Sequence, residues 1–259
     1  MLKSTEELVK LVEKPGLVLV DCRSYKEYAE GHIPGAVNVD LFYYHWLDTT
    51  KDGVKAFEKQ MQLLFSFMGI TEQTTAILYD DVAGMGAARG VWLLRYFSHT
   101  DAFMLDGGFR KWKSLGLPIE TKTNGFKPVK FSGRADRKIL ADFEYVRKNL
   151  GKARLIDTRT REEYEGKVMR AARRGRIPHS VNIDWVRNIN DDGTMKSAEE
   201  LGKMYPFSKN DEIITYCQGG YRAANSFVAL KMLGFENVRV YLGSWGEWGN
   251  RLDLPVEDN

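Results

Sequence analysis

Two cysteines, seven prolines and four histidines in 259 residues leave little room for several kinds of protein. The two thiols, Cys22 and Cys217, are too few to staple a chain of this length, so a disulfide scaffold is excluded and reduced thiols are expected. No run approaches the roughly 18 apolar residues that a membrane span needs. Glu6, Glu7 and Glu13 interrupt the N-terminal apolar positions, which excludes a signal or acid-poor transit peptide and reads as an amphipathic helix; a cytoplasmic protein is expected. The 24 glycines and 7 prolines follow no period, against a collagen-like or elastic chain. Charge of one sign is also lacking: residues 1–130 carry 16 basic and 16 acidic side chains, residues 131–259 carry 22 and 19. A surplus of three is no nucleic-acid face, which shows a dense basic stripe. His32, His45, His99 and His179 have no partners at ligand spacing, so neither a metal nor another cofactor is expected.

What is present is a chain 43% hydrophobic, enough for one large domain or two of ordinary size. An internal repeat favours two. Leu17-Val-Leu-Val-Asp-Cys-Arg-Ser-Tyr-Lys-Glu-Tyr28 recurs as Ala153-Arg-Leu-Ile-Asp-Thr-Arg-Thr-Arg-Glu-Glu-Tyr164. Ile33-Pro-Gly-Ala-Val-Asn-Val-Asp40 recurs as Ile177-Pro-His-Ser-Val-Asn-Ile-Asp184, and Gly107-Gly-Phe-Arg-Lys-Trp112 as Gly243-Ser-Trp-Gly-Glu-Trp248. The second copy has eight extra residues before its Ile-Pro.

Each copy opens with a helix signal, the Ser4-x-x-Glu7 capping box in the first and Asp142 in the second. Short apolar runs follow at Leu17–Val20 and Leu155–Ile156, then at Thr75–Tyr79 and Glu212–Tyr216, the last leading through a glycine loop into a helix at 223–233. Strands alternating with helices define an α/β fold with a mainly parallel sheet covered on both faces. Thr121–Pro128, polar and turn-rich, reads as the linker. Open parallel sheets bind ligands beyond the carboxyl ends of their strands, which directs attention to the loops after Tyr79 and Tyr216.

After Tyr216 comes Cys217-Gln218-Gly219-Gly220-Tyr221-Arg222. A cysteine between a strand end and a helix N-terminus meets backbone N–H groups and the positive helix end, both of which favour the thiolate that attacks. Gly219 and Gly220 let the backbone curl around an anion, and Arg222 closes the cradle with a permanently charged fork. Most free cysteines are buried and inert; this setting reads instead as a nucleophile. A cysteine phosphatase has five residues between Cys and Arg, and here there are four. Gly84, Gly86 and Gly90 miss the dinucleotide-binding spacing.

Asp-x-Arg-x-x-x-Glu-Tyr, Gly-x-Ile-Pro-x-x-x-Asn, Cys-x-x-Gly-x-Arg and Gly-Ser-Trp-x-x-Trp, in that order, resemble the rhodanese family of sulfurtransferases. The resemblance implies tandem rhodanese-like domains at 1–120 and 136–259, joined by a linker at 121–135. It implies an active second copy whose Cys217 accepts a sulfane sulfur as a persulfide. The first copy, with Asp80 at the cysteine position, would be a degenerate partner unable to form one. The implied donor is a small anion and the implied acceptor cyanide or a thiol, a thioredoxin-like protein included. Thiosulfate is the expected donor, because mercaptopyruvate enzymes of this family typically carry Cys-Gly-Ser-Gly-Val-Thr, without the cation that suits a dianion. The alternatives are a 3-mercaptopyruvate sulfurtransferase and a persulfide carrier that relays sulfur to a protein.

Asp157 and Arg159 are implied to brace the active loop, with Glu163 placed to pair with Arg159 four residues earlier. The insertion Lys167–Arg176 has five basic residues and no acidic one, and reads either as a funnel for an anionic donor or as a solvated loop. Arg176 is its candidate substrate ligand, since Pro178 stands where animal thiosulfate enzymes carry an arginine. Cys22 reads as a buried structural thiol, and Trp245 and Trp248 as core, with Trp245 also a candidate pocket wall.

Overall fold

The structure, a computed structural model, describes residues 1–12 and 14–258; Glu13, grouped above with the N-terminal helix, lies outside them. The chain forms two compact units. The first contains β1 (Leu2–Lys3), α1 (Thr5–Val9), β2 (Leu17–Asp21), α2 (Tyr25–Glu30) and β3 (Val37–Asn38). The long helix α3 (Lys51–Met68), β4 (Thr75–Tyr79), α4 (Met85–Tyr96), β5 (Ala102–Leu105) and α5 (Gly108–Ser114) follow, α3 counting with this unit from Phe57 onward. The strands form one parallel sheet in the order β1-β5-β4-β2-β3.

The second unit repeats the pattern with β6 (Leu140–Ala141), α6 (Phe143–Lys148), β7 (Arg154–Asp157), α7 (Arg161–Tyr164) and β8 (Ser180–Asn182). It continues with α8 (Ala198–Met204), β9 (Ile213–Tyr216), α9 (Tyr221–Met232), β10 (Val238–Tyr241) and α10 (Ser244–Trp248). Its parallel sheet has the order β6-β10-β9-β7-β8, the same path as the first. In each sheet the middle strand is buried almost throughout, Ala76–Tyr79 of β4 and all of β9, because a strand flanked on both edges and covered by helices buries both rows of side chains.

The capping box read at Ser4 and Glu7 is present, and Ser24/Glu27 and Thr160/Glu163 start α2 and α7 in the same way at equivalent points of the repeat. Asp142 caps α6 through the Tyr145 N–H. The helix expected at 223–233 begins two residues earlier, at Tyr221, since Gly220 provides the left-handed turn that starts it.

The units do not divide where the repeat does. His45–Ala56, from the first repeat, counts with the second unit, and Ile189–Met195, from the second repeat, with the first. The hairpin at 189–195 is held there by the Ala83 N–H to Gly193 O, 2.8 Å, and the Met195 N–H to Asp106 Oδ1, 2.8 Å. Residues 121–135 have little regular structure but are tied to the first unit by the Asn124 N–H to the Tyr28 hydroxyl and the Val129 N–H to Ser66 O.

The buried Tyr216 hydroxyl accepts the Ile177 N–H at 3.2 Å and meets Ser180 Oγ at 2.9 Å, so it fixes the Ile-Pro corner onto β9. Tyr79 repeats this toward Ile33 at 3.1 Å. Tyr216→Phe leaves the Ile177 N–H without that acceptor and is expected to cost about 1–3 kcal/mol in urea unfolding, with Tyr79→Phe following in the first unit. Wild-type stability in both would mean that the corner does not rely on the hydroxyl.

Candidate active site

Cys217 ends β9 and is 1% exposed. The chain turns through Gln218 and Gly219 into Gly220, whose φ of +87° is left-handed and strained for any residue with a Cβ. That turn aims the Gly220 N–H at Cys217 Sγ, 3.1 Å away, at the start of the twelve-residue α9. A backbone donor and a helix N-terminus therefore both meet the sulfur. The other side of the loop is pinned by α10. The Ser244 hydroxyl accepts the Cys217 N–H at 3.2 Å, and the N–H groups of Trp245 and Gly246 donate to the carbonyls of Cys217 and Gln218 at 2.9 and 2.8 Å. The Gly-Ser-Trp signature thus acts as a backbone clamp on the cysteine loop.

Arg222 lies on the first turn of α9, but its fork is engaged: Nη1 and Nη2 bind the two oxygens of Glu163 at 2.5 and 3.0 Å. Glu163 is 2% exposed, and Arg222 keeps 14% of its side chain exposed. Burial disfavours the charge on Glu163, yet the Arg222 guanidinium outweighs it and holds the carboxyl below its usual range. The expected Arg159–Glu163 pair is therefore corrected: Glu163 reaches forward 59 residues to Arg222, because Arg159 is already committed. Arg170 from the insertion approaches Glu163 as well, 3.3 Å from Oε1 and 59% exposed, and its carbonyl accepts the Gln218 side-chain N–H at 3.0 Å.

Arg159 and Asp157 form a buried, two-pronged pair, with Nε on Oδ1 at 2.9 Å and Nη2 on Oδ2 at 2.6 Å. The second nitrogen also donates to Gly175 O at 2.8 Å, and the guanidinium lies 4.7 Å from the Trp245 ring centre. Burial works against the charge on Arg159, and Asp157 more than offsets it, so its pKa is raised. Trp245 and Trp248 are both core.

One residue that the sequence pattern does not single out stands on the loop. Gly219 has no left-handed φ; it is glycine because of what lies against it. A Cβ there would overlap the His45 ring at Cε1, with Nδ1 and Nε2 at 2.5 and 2.8 Å. The imidazole also stacks on Tyr221, ring centres 5.9 Å apart and planes within 7°. His45 begins a strap in which Thr49 donates its N–H and hydroxyl to the two oxygens of Glu247, at 2.8 and 2.5 Å. Burial pushes the Glu247 carboxyl up, despite the donors from Thr49 and Tyr241. No spacing rule links residue 45 to residue 219.

Arg176 is buried, with its guanidinium 4.6 Å from the Tyr164 ring and 3.1 Å from Glu257. The rest of the insertion is engaged too: Lys167 with Glu165, Arg174 with Asp258, and Arg173 with the carbonyls of Trp248 and Leu254. Arg173, Arg174 and Arg176 fasten the C-terminal segment, Lys167 pairs within its own loop, and Arg170 is brought to the cysteine loop. Among the described residues, no three His, Cys, Asp or Glu side chains are grouped as a metal ion would require.

The first unit shows the same scaffold with other contents. Asp21 and Arg23 repeat the buried pair, Nη2 reaching Oδ2 at 2.5 Å and Gly31 O at 2.8 Å. At the cysteine position, Asp80 accepts the N–H groups of Asp81 and Gly86 at 2.9 and 3.0 Å, and burial pushes its carboxyl up. Cys22 is buried beside it, its thiol driven well up by burial and then by the carboxylates of Asp80, Asp21 and Asp40.

Two open parallel sheets on one plan, one with a cysteine cradle at the strand ends, define a duplicated α/β protein with a candidate cysteine nucleophile. The model of the rhodanese-like domain matches twice, at residues 4–115 and 142–251, and the chain belongs to that family. It is 34% identical over 247 residues to the sulfur carrier protein TtuD of Thermus thermophilus, covering 88% of this chain and 86% of that one. It is 31% identical over 260 residues to a thiosulfate sulfurtransferase of Pseudomonas aeruginosa, covering 97% and 94%. Among solved structures, YnjE superposes with a TM-score of 0.82 at 25% identity, over all of this chain and 68% of that one. The chain is a rhodanese-like sulfurtransferase by family, and no helix among its described residues is long and apolar enough to cross a membrane.

The Glu163–Arg222 pair predicts a pH dependence. A carboxyl held below its unfolded value contributes stability that is complete above the ordinary carboxylate range and is lost as pH falls through its folded pKa. Glu163→Gln is expected to cost about 3 kcal/mol or more at pH 7, because it leaves Arg222 half-paired in a buried site. The gap to wild type should shrink in urea titrations as pH drops below about 4. A gap that stays constant down to pH 3 would show that the pair contributes nothing ionic.

Proposed function

We propose that this protein moves a sulfane sulfur from thiosulfate to cyanide or a thiol through a persulfide on Cys217. The observation that carries the reading is the buried sulfur at the head of α9 with the Gly220 N–H 3.1 Å away, within a rhodanese-like unit. The Cys217 thiolate attacks the outer sulfur of thiosulfate, the sulfur–sulfur bond breaks, and sulfite leaves with the bonding pair. The persulfide anion that remains takes the place of the thiolate in the same backbone cradle. Cyanide then removes the outer sulfur as thiocyanate and returns the thiolate.

Gln218, Gly219, Gly220 and Tyr221 form the wall of the cradle, Asp157 and Arg159 brace it, and Arg222 sets its charge through Glu163. The Arg222–Glu163 pair offers a dianion less than a bare guanidinium would, which supports only moderate efficiency with thiosulfate. Arg176, fastened to Glu257, is the weaker candidate for a direct ligand. Asp80 lacks a sulfur, so the first unit supports the fold. The two free thiols support work in the reducing cytoplasm. A second reading, a carrier that relays persulfide to a protein, is favoured by the likeness to the Thermus protein named a sulfur carrier.

Intact-mass analysis after exposure to thiosulfate should find one added sulfur, confined to the peptide with Cys217. Cys217→Ser should abolish both loading and turnover, while Cys22→Ser retains them. Turnover in Cys217→Ser would overturn the mechanism. With cyanide as common acceptor, kcat/KM should favour thiosulfate over 3-mercaptopyruvate; an advantage of about tenfold the other way would reassign the donor. Loading with negligible turnover on small acceptors would select the carrier.

A further inference from the structure

An acceptor thiol of ordinary acidity is mostly protonated at neutral pH and must lose its proton before its sulfur can attack a persulfide. Nothing in the cysteine loop itself is placed to take it: Gln218, Gly219 and Gly220 bring no base, and Arg222 is a cation bound to Glu163. His45 is the exception at this site. Its ring is exposed to solvent, and its Nδ1–Cε1–Nε2 edge is turned toward Gly219, next to the residue whose N–H meets Cys217 Sγ. From this geometry, and resting on the reading above, we propose that His45 is the proton acceptor for thiol acceptors at the Cys217 persulfide.

The placement is over-determined. Thr49 is buried and latched to the buried Glu247, and Thr49 Oγ1 also accepts the Phe143 N–H at 2.9 Å. Two residues before the latch, Leu47 lies against Gly246, where a Cβ would stand 2.6 Å from its methyl and 2.7 Å from Gln218 O. Two residues before that, His45 lies against Gly219 and along Tyr221. Side chains are missing at 219 and 246, the two places where the strap crosses the cysteine loop and the clamp that holds it. Glu247 itself belongs to α10, whose backbone grips the loop carbonyls, so latch and loop move as one piece.

In the step proposed, the imidazole takes the proton of the acceptor thiol. The resulting thiolate bonds to the outer sulfur of the Cys217 persulfide. The bond between that sulfur and Sγ breaks, and Sγ keeps the pair. The proton from His45 then passes to the departing persulfide product or to solvent, which leaves the imidazole neutral. An imidazole suits this exchange because its ordinary titration range lies closest to neutral pH.

The test uses the full-length protein loaded with sulfur from thiosulfate and mixed with two thiols in single turnovers. One is an aromatic thiol already ionised at pH 7, the other an aliphatic thiol with an ordinary pKa near about 8.5. His45→Asn should lower the aliphatic-to-aromatic rate ratio by about tenfold or more, and added imidazole should restore part of it. Thr49→Val, which weakens the latch, should shift the ratio the same way by less. Equal losses with both thiols, or an unchanged ratio in a protein that still loads sulfur, would overturn the role of His45 and leave the Cys217 reading standing. Failure of the wild-type protein to load sulfur would overturn both.

Discussion

The Asp157–Arg159 pair is the contact on which the rest of the second unit is hung. A charge taken out of water is costly unless matched, and here the two opposite charges meet directly, with both carboxylate oxygens bonded. Two guanidinium nitrogens hold the carboxylate, and one of them also holds Gly175 O, where the basic insertion rejoins the Ile-Pro corner. Asn182 ties the carbonyls of Asp157 and Arg159 at 3.0 and 2.8 Å. Above them the guanidinium faces Trp245, in the helix whose N–H groups grip the cysteine loop. The strand end, the corner, the insertion and the clamp thus share one ion pair.

The first unit keeps all of this, with Asp21, Arg23, Gly31 and Asn38 in the same roles, and yet carries no thiol at the loop. The brace therefore belongs to the architecture and not to the chemistry. What separates the units is the anion in the cradle. Asp80 brings its own charge and satisfies it with the N–H groups of Asp81 and Gly86, in a loop one residue longer before its helix. Cys217 brings a sulfur whose Gly220 donor stays useful if a second sulfur is added. A carboxylate cannot form a persulfide, whereas a cysteine sulfur can.

Much of this was legible in the chain because it is local. Capping boxes act over three residues, strand runs over five, and the cysteine loop over six, so Ser4, Thr75–Tyr79 and Cys217–Arg222 declare themselves. The repeat extended that reading from one half of the chain to the other, while the strand order came only with the fold. Partners distant in sequence were not legible. Glu163 satisfied a spacing rule with Arg159 and obeyed a longer contact with Arg222; its Thr160 capping box was readable, its salt bridge was not. The insertion showed five cations but not the carboxylates and carbonyls of the C-terminal segment that engage them. His45 is 174 residues from Gly219, and only a folded chain shows that one is shaped to the other.

These pairings change the electrostatic character of the site. Four of the five insertion cations are held to carboxylates and Arg173 to backbone carbonyls, and Glu163 is shared between Arg170 and Arg222, so one carboxylate answers two guanidinium groups beside the cysteine loop. The groups that meet the sulfur directly are oriented backbone: the Gly220 N–H and the first turn of α9. Such donors are fixed by φ and ψ, so they need no reorganisation as charge moves between one sulfur and two. On the proposed cycle the sulfur is accepted as an anion and given up again, and the Glu163 carboxylate beside Arg222 tempers the field that would hold it. Binding that anion more tightly would help the first half of the cycle and slow the second.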